Sequence, residues 1–303
     1  MSHPDDEFHP PTSDDPDWTE TCWFSFQVPE RRLSGQLYPY FQPNQGVCAA
    51  AAYFWDDHSD RPWEVIHAKN FWHLPMPDQP LSDLSLPNGI RYRCVESQAV
   101  YEIAYDDPDG DEISVRLTYT AIARPNYLGT GHLDQPGRYR GTITLQGEEI
   151  GVDSFGFRDR SWGPRTQFGR GVGHVGYSYG TASESDGFHS IVLHDHGALI
   201  HGHLLRDGQW AKLTEGRREV VERDPGTGHQ RRVVIDATDE LGRTLHAEGR
   251  TLNSFGIQIN PNLASIDCLT EWSFDGHTGF GQDNDDWTQP AAREFFRHHR
   301  PGS

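Results

Sequence analysis

The densest concentration of reactive side chains is Phe155-Gly156-Phe157-Arg158-Asp159-Arg160-Ser161-Trp162-Gly163-Pro164-Arg165, near the middle of the chain. Arginine and aspartate taken out of water must be paired and hydrogen-bonded or they cost several kcal/mol, so this run is expected to be a polar network or a site. If residues 151–162 form a strand, alternation puts Phe155, Phe157, Asp159 and Ser161 on one face and Arg158, Arg160 and Trp162 on the other. A carboxyl group beside phenylalanines in an apolar interior has a raised pKa and serves as a general acid near neutrality. Asp159 is therefore the expected acid. A purely structural role, bracing a domain junction through Arg165 or an arginine of the other half, competes with it.

Other groups could complete such a site. His132 and Gln135 fall in a proline- and glycine-rich crossover, where ligands commonly bind, and His132 can supply a base or acid that arginine cannot. Arg158, Arg160 and Arg165 would orient an anionic or carbonyl end of a substrate, with Phe157 and Trp162 as walls. His174 and Tyr177 follow on a strand whose Gly171, Gly173 and Gly176 permit close approach. His194-Asp195-His196 and His201-Gly202-His203 each project two imidazoles to one face, and together they could form a four-nitrogen metal site. The chain holds seventeen histidines, however, and no carboxylate follows at a completing spacing, so no metal is expected. No glycine-rich phosphate loop or Gly-x-Ser-x-Gly turn occurs in a strand-to-helix context, which disfavours nucleotide cofactors and serine hydrolysis. The expected cofactor is none.

Composition narrows the partners. A formal charge of −19 lacks the basic footprint that nucleic acid or an anionic membrane requires. The cations are almost all arginine, Lys69 and Lys212 being the only lysines. Cys22, Cys48, Cys94 and Cys268 are too scattered for a structural zinc site and suit a reducing cytoplasm. No signal-like or membrane-spanning apolar run is found. The expectation is a soluble cytoplasmic protein that takes a hydrophobic small molecule, and a homodimer is compatible with it.

The elements that must position these groups are strands. Residues 1–17 are acidic and proline-bearing and are expected to be a disordered leader. Short strand signals at 22–28, 35–41, 48–55, 63–72, 90–96, 99–106 and 113–123 then follow, with turns such as Asp107-Pro108-Asp109-Gly110 between them. Residues 124–136 break the pattern, and a second series runs from 138 to 274, including a hairpin signal at Asp275-Gly276. Only 289–299 offers a helical period. The expected organisation is an all-β chain of two antiparallel barrels or sandwiches: a leader at 1–17, domains at 18–130 and 131–288, and a tail or short helix at 289–303.

The motif Gly156-Phe157-Arg158-Asp159-Arg160-Ser161-Trp162-Gly163 resembles the Gly-Tyr-His-Asp-His-Asn-Trp-Gly signature of a two-domain, lipocalin-like (calycin-type) family. That family includes AttH proteins, carotenoid 1,2-hydratase (hydroxyneurosporene synthase) and, more distantly, tocopherol cyclase. It is most similar to a bacterial branch marked by Pro29-Glu30-Arg31, His132-Leu133-Asp134-Gln135-Pro136-Gly137 and Arg158-Asp159-Arg160-Ser161-Trp162-Gly163-Pro164-Arg165. The resemblance spans residues 18–281. It implies tandem β-barrels and a hydratase, dehydratase or cyclase acting on a terpenoid-, steroid- or polyketide-like molecule, with a non-catalytic carrier as the alternative. Both histidines flanking the aspartate have become arginines here. Cations facing a pocket oppose a carbocation and favour an enolate or other oxyanion.

Overall fold

The computed structural model describes residues 3–110, 112–165, 173–193, 197–260 and 262–298. Strand makes up 66% of the chain and helix 7%. The chain divides into two compact units: Met1–Val28 with Ser34–Phe54 and His67–Arg165, and Pro29–Leu33 with Trp55–Ile66 and Thr166–Ser303. The all-β, two-domain expectation is met. The division falls after Arg165 rather than at 130, because the two long strands that follow residue 131 belong to the first sheet.

The first unit contains β1 (Trp18–Val28), β2 (Leu33–Gln42), β3 (Val47–Trp55), β4 (His67–Pro75), β5 (Asp83–Ser85), β6 (Ile90–Glu96), β7 (Val100–Asp106), β8 (Ile113–Ala121), β9 (Asn126–Tyr127), β10 (His132–Leu145) and β11 (Glu148–Pro164). They form a half-barrel sheet in the order β4-β3-β2-β1-β11-β10-β8-β7-β6-β5, with β9 on the edge of β10. The crossover expected at 124–136 is thus shorter than its prolines and glycines suggest. Pro136 lies in a strand but stands at the end of the ladder with β8, which begins at Gly137.

The hairpin between β10 and β11 fixes the geometry of the motif. Gln146 and Gly147 both have positive φ, 50° and 84°, the requirement of a two-residue type I′ turn. Counting back from that turn pairs Leu145 with Glu148, and therefore Asp134 with Asp159 and His132 with Ser161. On the other side β1 pairs antiparallel with β11, Thr21 opposite Ser161 and Trp23 opposite Asp159. Gly156 is needed where β11 enters this arrangement, since a Cβ there would lie 2.3 Å from Ser25 O and 2.7 Å from the Tyr139 ring.

One face of the half-barrel is an aromatic interior. Phe24 packs on Tyr92, Tyr101 and Tyr119, Phe26 on Phe54 and Tyr139, and Tyr119 edge-on against Tyr139 at 5.1 Å. The opposite face is polar yet also buried, since every residue of β1 is buried along its length.

The second unit contains β12 (His174–Ser183), β13 (Asp186–Leu193), β14 (Ala198–Arg206), β15 (Gln209–Arg223), β16 (Gln230–Asp239), β17 (Thr244–Thr251), β18 (Phe255–Asn260), β19 (Leu263–Phe274), β20 (His277–Thr288) and the helix α1 (Gln289–His298). The order β17-β16-β15-β14-β13-β12-β20-β19 closes into an eight-stranded barrel through β17–β19 pairing, and β18 flanks β19. Phe188, Leu204, Val233, Ile235, Trp272 and Phe274 fill its core. Asp275-Gly276, with φ of 52° and 78°, makes the expected hairpin between β19 and β20. Phe295 of α1 stacks on Trp287 at 4.7 Å. All four cysteines are free. Among the described residues no helix is long and apolar enough to cross a membrane.

Candidate active site

Alternation along β11 separates the motif as its sequence implies, but the environments of the two faces are exchanged. Arg158 and Arg160 are the ones inside the aromatic half-barrel, both fully buried. Arg158 lies 4.1 Å from the Tyr101 ring centre, donates from Nε to Gln135 Oε1 at 2.9 Å and faces Asp6 at 3.8 Å. Arg160 donates to Glu20 at 2.5 Å and to the carbonyls of Asp5 and Glu7. The interior tolerates two guanidiniums because ring faces attract cations and because each cation meets a buried carboxylate or amide.

These contacts correct the expectation of a disordered leader. Pro4–Asp6 forms one 3-10 turn, and Asp6 is fully buried. Its carboxylate accepts hydrogen bonds from Tyr101 at 2.5 Å, Ser97 at 2.6 Å and the Gln98 amide at 3.1 Å. His9 stacks on Trp162 at 4.0 Å. Trp162 therefore sits with the arginines under the N-terminal segment. Gln135, whose Nε2 donates to the carbonyls of Gln98 and Ala123, is also held on the interior side. Neither lies beside Asp159. The arginines tie down the N-terminus of their own unit, a role that the sequence does not reveal because Asp5, Asp6 and Glu7 are more than 150 residues away from Arg160 in the chain.

Asp159 occupies the opposite, polar face, two residues beyond Phe157. The i, i+2 spacing of His132 and Asp134 puts both on this face of β10, and the hairpin register brings them to Asp159. His132 Nε2 is 2.8 Å from Asp134 Oδ2 and 3.6 Å from Asp159 Oδ2. Arg165 hydrogen-bonds to the Ser161 hydroxyl and to Tyr38, and Ser161 Oγ is 2.6 Å from Thr21 Oγ1. Asp134, Tyr38 and Thr21 are site neighbours that the sequence reading passed over. Asp134 carried a signal, its two-residue spacing from His132.

Electrostatics set the protonation of this cluster. Burial alone would lower the pKa of His132, but the carboxylates of Asp134 and Asp159 outweigh it and raise the value to about 9. Burial raises Asp159 to about 6, helped by the charge of Asp134 and opposed by His132, Arg165 and Arg160. Near neutrality an imidazolium thus faces a carboxylate that still gains and loses a proton readily. The donor atoms of His132, Asp134 and Asp159 also lie within 4.8 Å of one another, a mixed nitrogen and oxygen set compatible with a cation, although Arg165 opposes one there.

The remaining sequence candidates belong to the second unit. His174 stacks on Trp287 at 3.5 Å and is 3.0 Å from Asp285. Asp285 in turn meets Arg218 at 2.8 Å and Arg223 at 2.7 Å, while Arg218 also binds Asp283. Burial would raise Asp285, but Arg218, His174 and Arg223 hold it well below the usual carboxylate range. This closed network is a brace inside the barrel. Tyr177 contacts His189 at 4.7 Å between ring centres. His201 and His203 come together with His189, which sequence reasoning did not single out. His194, His196 and Gly171 lie outside the described residues.

Two outcomes follow. Asp6→Ala, which removes the carboxylate facing buried Arg158, should cost about 3–5 kcal/mol in denaturant unfolding; a loss below about 1 kcal/mol would show that the N-terminal segment is not anchored there. A second outcome concerns pH. His132 is raised from 6.5 to about 9, so its stabilising contribution is complete below pH 6.5 and is lost as pH rises through 9. His132→Gln should flatten the fall in stability across that window, an effect of no more than about 3 kcal/mol, read from denaturation midpoints at a series of pH values.

Comparison with known proteins agrees with this architecture. Residues 2–290 match the family described as a domain of unknown function, DUF7064. No curated protein sequence matches. Among solved structures, the Nitrosomonas europaea protein described as AttH superposes with a TM-score of 0.63 at 13% identity, over 95% of this chain and 96% of that one. CghA gives 0.56 at 13% identity, covering 90% and 88%, and kievitone hydratase from Nectria haematococca gives 0.52 at 8%, covering 92% and 90%. At such identities the likeness is one of fold, and it is the AttH-like fold that the motif at 156–163 suggests. With nearly its whole length matched, the chain belongs to the DUF7064 family.

Proposed function

We propose that the chain is a hydro-lyase-type enzyme that adds or eliminates water next to a carbonyl group of a hydrophobic, terpenoid-, steroid- or polyketide-like molecule by acid–base chemistry. The observation that carries this reading is His132 Nε2 set between Asp134 at 2.8 Å and Asp159 at 3.6 Å, with Arg165 alongside. In the eliminating direction, Asp159 takes the proton next to the carbonyl and Arg165, with Tyr38, stabilises the enolate oxygen. His132 then gives its proton to the departing hydroxyl, which leaves as water while the carbon–carbon double bond forms. Hydration runs the same steps backwards. The acid and base roles are therefore exchanged relative to the sequence expectation, because two carboxylates keep His132 protonated. Asp134 holds His132, and Arg158 and Arg160 act as positioning residues that fix β11 from behind.

That one structural neighbour is named a hydratase supports the same class of reaction. A non-catalytic carrier of such a molecule is the alternative: beside Leu84, Tyr92, Ile103 and Leu117 the first unit has a space of about 420 Å³, within the range of small-molecule sites.

The test is a panel of β-hydroxy ketones and their enones incubated with the purified protein, with gain or loss of one water followed by mass spectrometry. Asp159→Asn and His132→Gln should each lower turnover about 10²–10⁴-fold while the proteins stay folded. Full activity in Asp159→Asn, or substrate bound by the wild type and never altered, would remove the proposal.

A further inference from the structure

The second unit contains a cavity that the acid–base reading does not use. Its volume is about 710 Å³, within the range of small-molecule sites, and all the residues that line it belong to that unit. One wall is the segment 56–64, and the others are the β15–β16 loop with its flanking strand ends and the β17–β18 loop Leu252-Asn253-Ser254. These walls are tied together. Trp55, fully buried, donates from Nε1 to Asn253 Oδ1 at 2.9 Å and packs on Phe255 with ring centres 5.3 Å apart. Asn253 Nδ2 donates to the Arg32 carbonyl at 2.6 Å, Arg32 pairs with Asp57 at 2.5 Å, and the Gly256 amide donates to the Asp60 carbonyl at 3.2 Å. On the far side Asp224 Oδ1 accepts from the Gly226 and Thr227 amides at 2.7 Å and 2.8 Å, which fixes the β15–β16 loop. A cavity whose walls are already ordered spends little of a ligand's affinity on ordering them.

The lining decides what kind of molecule fits. Leu252 is its one apolar side chain among the described residues, whereas sites for hydrophobic ligands are lined mainly by aliphatic and aromatic groups. Six carboxylates stand against four guanidiniums, and several are already paired: Arg61 with Glu64 at 3.2 Å, Arg231 with Asp224, and Arg250 with Glu271 at 3.0 Å. Burial lowers the pKa of His229 against the pull of Asp60, so this imidazole is neutral, with Nδ1 3.0 Å from Ser254 Oγ. A wall of closely mixed donors and acceptors suits neither a polyanion nor a polycation. It does suit neighbouring hydroxyl groups, because a carboxylate accepts from one while a guanidinium donates to the next, both as charge-assisted bonds. Glu222 and Arg232 make such a pair, being direct partners in the β15–β16 ladder and both exposed.

The rim supplies a flat apolar face. Trp63, on the segment that forms the first wall, is 78% exposed, the most exposed large hydrophobic side chain among the described residues. Its neighbour Glu64 is held below the usual carboxylate range by the Ser59 hydroxyl, then by Arg61 and the Trp63 indole, so the indole is tied to the cavity wall instead of turning freely in solvent. An indole held in place and left uncovered is a surface on which the C–H groups of a ligand can pack. We propose that this cavity binds a short neutral oligosaccharide, with one sugar ring stacked on Trp63 and its hydroxyl groups bonded to Glu222, Asp60 and Arg232. None of these residues belongs to the first unit, so the proposal does not rest on the roles given to His132 and Asp159.

The experiment uses the full chain with cellotriose, maltotriose, xylotriose and triacetylchitotriose as probes, each followed by saturation-transfer NMR and by tryptophan fluorescence. At least one of them is expected to receive saturation from the protein and to move the emission to shorter wavelength as Trp63 is covered. Trp63→Ala should weaken its binding about 10-fold, and Glu222→Gln about 10–100-fold. Trp72→Ala, which removes the exposed indole of β4, should leave it unchanged. If a variant does not fold, the wild type decides: the sugar should protect its emission from quenching by acrylamide. No response to any of the four sugars, unchanged affinity in folded Trp63→Ala and Glu222→Gln, or binding of spermidine or inorganic phosphate in their place would overturn the proposal.

Discussion

Strand β11 is buried on both of its faces where the motif lies, and consecutive side chains of a strand must point in opposite directions. Every charged residue of Arg158-Asp159-Arg160 therefore has to be satisfied in a different environment from its neighbour. The guanidiniums go to an interior rich in tyrosine, where ring faces, Gln135, Glu20 and the N-terminal carbonyls receive them. The carboxylate goes to a face where His132, Asp134 and Arg165 surround it. Swapping the two would leave buried charges without partners, at a cost of several kcal/mol each.

The N-terminal segment is part of the same constraint. Arg160 reaches the carbonyls of Asp5 and Glu7, and Asp6 supplies the carboxylate facing Arg158. Residues that look like a solvated acidic leader thus serve as counter-ions to the motif. This gives the two arginines a reason to be present that does not involve a substrate. On this side of the strand the two arginines meet Asp6, Glu20 and the N-terminal carbonyls of their own unit.

Much of the architecture was legible in the sequence. Alternation at 151–162, the Asp275-Gly276 hairpin, the strand-rich first half and the C-terminal helix were readable because each depends on local periodicity or turn chemistry. What could not be read was set by long-range register. Asp134 meets Asp159 because a two-residue turn at Gln146-Gly147 fixes the count, and that turn lacks the Asn-Gly or Asp-Gly signature that would have announced it. Which face of β11 would be apolar was likewise invisible, since it depends on Phe24, Tyr92, Tyr101 and Tyr119 gathering from distant strands. His189 was missed for a related reason, being an isolated histidine in an otherwise ordinary strand.

The account rests most heavily on His132 being an imidazolium held between two carboxylates. Nitrogen-15 NMR of the imidazole rings in histidine-labelled protein, with His132→Gln used to assign the resonance, measures this directly. The account predicts that both ring nitrogens of His132 remain protonated at neutral pH and titrate only as pH approaches about 9. A His132 ring that is already neutral at pH 7 would contradict it.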